Sequence, residues 1–185
     1  SAFGTGTLSY FELDEFDKAH GTIPPEDGSA AQFLIVEADA GGRVRVYPYD
    51  VLTGHFFPYT WEIDEPWNID SFKYTDARYV TAERPFFENV RISVENITAD
   101  GCDITCNQAS GKDRPDSYDI YILSGDGLVK KHLNITSRYY LYDMPATLTE
   151  HICGLKTRTE YTVKIVANSF WRTRSDALTA RFATL

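Results

Sequence analysis

The sequence predicts an all-β chain: a small antiparallel sheet segment followed by a two-sheet antiparallel sandwich. Three observations support this. Nearly every periodic segment alternates apolar and polar residues at a spacing of two, and these segments are rich in Val, Ile, Tyr, Phe and Thr. They are short and separated by Gly, Pro, Asn and Asp turns, such as Asp39-Ala40-Gly41-Gly42 and Ser124-Gly125-Asp126-Gly127. Third, the run Gly154 to Ala167 carries Thr159-Glu160-Tyr161 directly ahead of an alternating Val163, Ile165, Ala167 series, a turn that feeds a long core strand.

Taken in order, Thr7 to Leu13 reads as a first strand, and His20 to Ser29, with Gly21, Pro24, Pro25 and Gly28, as a loop. Gln32 to Ala38 and Arg43 to Tyr49 form a hairpin, and Thr53-Gly54 turns the chain into a third strand, His55 to Ile63. Phe33-Leu34-Ile35-Val36 is apolar on both faces, the pattern of a strand covered from two sides. Too little chain precedes it to supply that cover, so residues 1–66 are expected to complete a larger core or to pack on the second half. Residues 67–85 form a connector, with a short helix over Asp76 to Glu83 opened by Thr75 and stopped by Pro85.

Residues 86–185 make the second unit. Its expected strands are Val90 to Val94, Cys102 to Cys106, Tyr118 to Leu123, Leu128 to His132, Leu148 to Ile152, Tyr161 to Asn168 and Leu178 to Ala183. Their inward positions predict a core of Val94, Ile104, Tyr118, Ile120, Ile122, Ile152, Leu155, Tyr161, Val163, Ile165 and Phe182. The layout resembles a fibronectin type III sandwich. That resemblance makes Tyr161 the corner tyrosine, its hydroxyl bonded back to the backbone near Leu155. It also sets Cys106 where such modules commonly hold a tryptophan, so neighbours must fill the space.

Composition excludes several function classes. With 185 residues, 43% hydrophobic and 24% charged, the chain is ordinary globular material. Its formal charge of −9 and lack of a basic stripe argue against a nucleic-acid partner. No apolar run approaches the roughly 20 residues of a spanning helix. Ser1-Ala2-Phe3-Gly4 is unlike a signal peptide, and the absence of an initial Met suggests a cloned or processed boundary. Of three cysteines, Cys102 and Cys106 lie about 13 Å apart along one strand, too far to pair. Cys153 comes near Cys102 but faces the other way, which disfavours a bridge.

The chemistry-bearing residues are sparse. His20, His55, His132 and His151 are scattered without metal-ligand spacing, and no nucleophile elbow or phosphate-binding glycine loop occurs. The acidic run Glu12, Asp14, Glu15 and Asp17 lacks the spacing of a calcium loop and reads as a solvated edge. No catalytic or metal residue is assigned. The candidate contact residues are Phe170, Trp171 and Arg172 in the turn before the last strand, together with Trp61 and Trp67. Trp171 has two readings, an exposed contact or a lid over the end of the sandwich. The aromatics Trp61, Trp67, Phe72, Tyr74, Phe86 and Phe87 are expected to glue the two halves together, the other reading being an exposed set that stacks on sugar rings or a partner.

A second resemblance covers nearly the whole chain. Gly4-Thr5-Gly6-Thr7-Leu8-Ser9-Tyr10, Gln32 to Glu37, Val44 to Gly54, Trp61-Glu62-Ile63-Asp64, Ala82 to Phe87, Tyr139 to Leu148 and Leu155 to Ala167 occur in an order that resembles the C-terminal region of bacterial calcineurin-like metallophosphoesterases, the last three runs matching the fibronectin-like appendage such enzymes carry. The resemblance implies a chain without catalytic residues, whose partner is a catalytic domain upstream in the same polypeptide. That parent enzyme would hold two divalent metal ions and work outside the cytoplasm: extracellular, periplasmic or on the cell surface. None of the family's metal-binding motifs is in this chain, and Gly54-His55-Phe56-Phe57 lacks a second histidine, leaving His55 a strand residue. The other reading is a free-standing adhesion module that takes a cell-surface protein or a glycan.

Overall fold

The computed structural model describes residues 19–73, 75–88 and 91–185. The first expected strand, the acidic run Glu12 to Asp17, and Tyr74 and Val90 lie outside them. Eleven strands and little helix make the described chain all-β. The first sheet holds β1 (Gln32–Ala38), β2 (Val44–Asp50), β3 (His55–Phe56) and β4 (Trp61–Ile63). The β1–β2 hairpin pairs Gln32 with Asp50 through Ala38 with Val44, as the alternation predicts. At its turn Asp39 accepts from Arg43 N at 3.0 Å, and Gly42 takes φ +84° beneath the Trp67 ring, which comes so close that a Cβ would overlap it.

The single third strand expected over His55 to Ile63 is instead two short ones, both paired to β2. Partner numbers sum to 105 at β3 (Tyr49 with Phe56) and to 107 at β4 (Val44 with Ile63), so two extra residues are accommodated between them. Pro58, which has no N–H for the ladder, stands in that break. The connector helix is likewise shorter than expected: α1 is Arg78–Thr81, and no side chain caps it.

The second unit is a sandwich of β5 (Ile92–Glu95), β6 (Cys102–Asn107) and β9 (Thr147–Ile152) against β11 (Leu178–Ala183), β10 (Glu160–Ser169), β7 (Pro115–Ser124) and β8 (Val129–Thr136). Strands β7 and β8 are longer than the sequence suggested. Every expected core residue is buried except Val94, which is partly buried against the same cluster. The corner tyrosine is as expected: Lys156 N donates to Tyr161 Oη at 3.0 Å while the ring stacks on Phe182. Cys106 sits between Ile92 and Leu148, and the aromatic bulk missing there comes from Tyr118 and from Phe87, whose rings lie 6.2 Å apart.

All three thiols are free. Cys102 and Cys106 are buried, which raises their pKa to about 11 and about 12, and Cys153 is exposed. A tight contact stands at the entry to β6, where a Cβ on Gly101 would lie 2.3 Å from the Ile152 carbonyl oxygen. The Gly101→Ala variant is therefore expected to lose about 2 kcal/mol of stability, read as a lower urea midpoint at unchanged m-value, because the obstacle is backbone within a paired strand.

The first sheet packs on the sandwich through β2 and the loop after β8. Val46, Pro48, Asp50 and Phe57 are buried on one face. Phe57 meets Tyr142 edge-on at 5.6 Å, His55 stacks on Tyr142 at 5.4 Å, and the Arg114 guanidinium lies 5.3 Å over Phe57. Arg114 also donates to the carbonyls of Tyr139, Leu141 and Tyr142, fixing the loop that receives the sheet. Of the aromatics expected to glue the two halves, Trp61, Trp67, Phe86 and Phe87 are not what builds this joint, and Tyr74 lies outside the described residues. Trp67 is 68% exposed, Trp61 and Phe86 are exposed, and Phe87 belongs to the sandwich core. The reason is placement: the connector runs past the rim of the joint, whereas β2 and β3 face it.

Candidate functional site

Three surfaces carry chemistry. The first is the turn between β10 and β11 with Phe170, Trp171 and Arg172. Ser169 and Thr173 hold it closed through Ser169 N to Thr173 O at 3.0 Å, and Arg172 takes φ +62° at its tip. Trp171 is half-buried: its indole N–H donates to Asp113 Oδ2 at 3.2 Å, and the Arg78 guanidinium lies 4.0 Å over its ring. Arg78 itself meets Asp113 at 3.0 Å, and Arg172 lies 4.5 Å over the Tyr79 ring. The turn therefore grips α1 of the connector. Phe170 remains 44% exposed and meets Tyr139 edge-on at 4.6 Å. Trp61 and Trp67 lie at the first sheet, apart from this cluster, with Trp61 beside Tyr59 at 5.7 Å.

The second surface is the other face of the first sheet. Direct pairing puts Phe33 with Tyr49, Ile35 with Tyr47, and Tyr49 with Phe56, so these side chains share one side. Their rings form a continuous ladder, Phe33 to Tyr49 at 5.1 Å, Tyr49 to Phe56 at 5.0 Å and Phe56 to Tyr47 at 6.1 Å. Phe56 is 51% exposed. Glu37, Arg45 and Glu62 close one end of the ladder, with Arg45 Nε 3.5 Å from Glu62 Oε1. This face points away from the joint with the sandwich, since the buried Val46 and Pro48 occupy the opposite positions of β2.

The third is a polar network on the outward side of β7. Tyr118, Ile120 and Ile122 point into the core, so Ser117, Asp119 and Tyr121 point out. Asp119 accepts from Arg174 at 2.7 Å, His132 Nε2 at 2.9 Å, and the amides of Asn134 and Asn168 at 3.0 and 3.2 Å. Burial alone would push its carboxyl up, but the bonds from Asn134, His132 and Asn168 and the charge of Arg174 outweigh it and hold the carboxyl below the ordinary value. Tyr121 stacks on His132 at 4.4 Å and accepts from Arg174.

A histidine bonded to an aspartate invites a catalytic reading, but the nearby hydroxyl gives it no nucleophile. Ser117 Oγ donates to Asp116 at 3.0 Å and lies by the Asn134 and Asn168 amides, while His132 is bonded to Asp119 and not to this hydroxyl. The arrangement fixes a polar sheet face. Sequence reading missed this network, although the alternation of polar and apolar residues from Ser117 to Ile122 marked the outward positions. Among the described residues no three His, Cys, Asp or Glu side chains come together as a metal site. No described helix is long and apolar enough to cross a membrane.

No family model matches the sequence, and no curated protein matches it. Solved structures of similar shape include a two-domain fibronectin type III segment of chicken tenascin, at 15% identity and a TM-score of 0.41, covering all of this chain and 86% of that one. Domains d3-d4 of the rat CD45 extracellular region match at 12% identity and 0.43, covering all of this chain and 78% of that one. Domains FN1-FN3 of chicken CNTN1 match at 14% and 0.43, covering 88% of this chain but 42% of that one. These likenesses are too distant to say more than the strand order does. That order, three strands β5-β6-β9 facing four strands β11-β10-β7-β8 with a tyrosine corner ahead of β10, makes the second unit a fibronectin type III-like sandwich.

Proposed function

We propose that the chain is the non-catalytic C-terminal region of a metallophosphoesterase, whose first sheet docks on the catalytic domain and whose sandwich serves as a structural and interaction module. The observation that carries this reading is the aromatic ladder of Phe33, Tyr47, Tyr49 and Phe56. It is a face built of large rings, on a small sheet whose other face is already used against the sandwich. A contiguous aromatic surface of this kind gains most by being covered by another protein surface. The ordered resemblance over residues 4–167 supports the upstream catalytic domain as the occupant, which would hold two divalent metal ions. Such a parent enzyme would work outside the cytoplasm.

The test is to express the natural polypeptide with its upstream region and assay p-nitrophenyl phosphate esters with Mn²⁺. Hydrolysis by the longer protein, none by residues 1–185 alone, and weakened attachment of the two parts in Phe56→Asp are expected. A longer protein with no metal-dependent hydrolysis overturns the proposal. A free-standing adhesion module is the second reading, favoured by the half-exposed Phe170 against Tyr139 at the sandwich end. It predicts that a glycan or surface protein perturbs Phe170 rather than Phe56.

A further inference from the structure

In an acidic chain, cations usually find carboxylates. The guanidiniums of Arg43, Arg45, Arg78, Arg84, Arg138 and Arg174 each meet one. Lys130, Lys131 and Lys156 meet none among the described residues, yet all three line one groove of about 510 Å³ at an end of the sandwich. The groove lies between the β7–β8 turn and the β9–β10 loop, and Ser124 and Thr159 add hydroxyls to it.

Each wall is held in place. Lys131 Nζ donates to the Cys153 carbonyl at 2.6 Å, tying β8 across to the end of β9. Lys156 rides on the loop that the Tyr161 hydroxyl anchors through the Lys156 N–H, so the corner that defines the fold also fixes the backbone from which this side chain projects. The one carboxylate in the lining, Asp126, is already engaged by the Ser124 hydroxyl and by Leu128 N at 3.3 Å. The Ser124 bond, then the Leu128 N–H and, more weakly, the charge of Lys130 hold its carboxyl below the ordinary range. Asp126 thus offers Lys130 a partial partner and leaves Lys131 and Lys156 uncompensated.

We infer that this groove is a binding site for a tetrahedral oxyanion, the phosphate or sulfate monoester group of a small molecule or glycan. Three ammoniums act as compact point charges with donors that turn to meet such a group. The volume falls within the range of small-ligand sites. The inference does not depend on what lies upstream of the chain.

The test is a titration of ¹⁵N-labelled chain with sodium phosphate and, separately, sodium sulfate, each against sodium chloride at equal ionic strength. Saturable shifts confined to residues 124–131 and 153–161 are expected. Stronger saturation by phosphate assigns a phosphoryl source, and by sulfate a sulfated one. The double variant Lys130→Ala/Lys156→Ala, at two exposed positions, should weaken binding about tenfold, while Lys112→Ala, away from the groove, should leave it unchanged. Linear shifts spread over many lysines, or equal loss in both variants, overturn the site.

Discussion

The Tyr118→Ala variant is expected to leave the sandwich close to unfolded at room temperature. Tyr118 is fully buried, and its ring packs against Phe87 in the centre of the core. Removing a buried aromatic costs about 3–5 kcal/mol through lost transfer energy and the cavity left behind. The hydroxyl adds to this. It accepts from Ala109 N at 2.7 Å and donates to Gln108 Oε1 at 2.6 Å, and Gln108 in turn donates to the Ser137 carbonyl at 2.8 Å. Burial raises the Tyr118 pKa well above its ordinary value, so the hydroxyl stays protonated and can serve both bonds. Against a typical domain stability of about 5–15 kcal/mol, the combined loss takes most of the margin. Urea unfolding followed by tryptophan fluorescence reads it. Tyr118→Phe should retain the packing and lose only about 1–2 kcal/mol, the cost of the orphaned Ala109 N–H. A loss below about 2 kcal/mol for the alanine variant would show that the ring is not the centre of this core.

The second large effect is expected at Asp119. Asp119→Ala removes the acceptor shared by Arg174, His132, Asn134 and Asn168, which come from three elements besides its own strand. Because Arg174 and His132 are partly exposed and can turn to water, the loss should be about 2 kcal/mol, short of the 3–5 kcal/mol of a fully buried pair. The pH dependence has a definite sign. The folded-state pKa of Asp119 lies below its unfolded value, so the unfolded chain binds the proton more readily. Its stabilisation is present above the ordinary carboxylate value of about 4 and is lost as the pH falls from there through the folded-state pKa. The gap in unfolding free energy between wild type and Asp119→Asn should accordingly narrow on acidification below about pH 4. A gap that stays constant to the acid limit would mean that the carboxylate is not charge-coupled to its neighbours.

What could be read from the sequence follows the range of the interactions involved. The alternation in Tyr118-Asp119-Ile120-Tyr121-Ile122 and the Thr159-Glu160-Tyr161 turn are local signals, and both the core and the tyrosine corner stand where they placed them. The β1–β2 hairpin was equally legible, because its turn and its alternation sit within 19 residues. The split of the third strand depended on Pro58 meeting β2 in a register that only pairing defines. The Asp119 network joins residues up to 55 positions apart, and the lysine groove joins a hairpin turn to a loop about 30 residues on. Trp171 shows the same limit: its type suggested a contact, but only the fold brought Arg78 and Asp113 to it.

The buried thiols bear on what holds the two sheets together. Cys102 and Cys106 behave as small apolar side chains whose burial suppresses the thiolate, and no covalent crosslink joins the two sheets. Cohesion thus comes from packing and hydrogen bonds. A thiol reductant, having no crosslink between the sheets to cut, should therefore leave the unfolding midpoint of the sandwich where it stands.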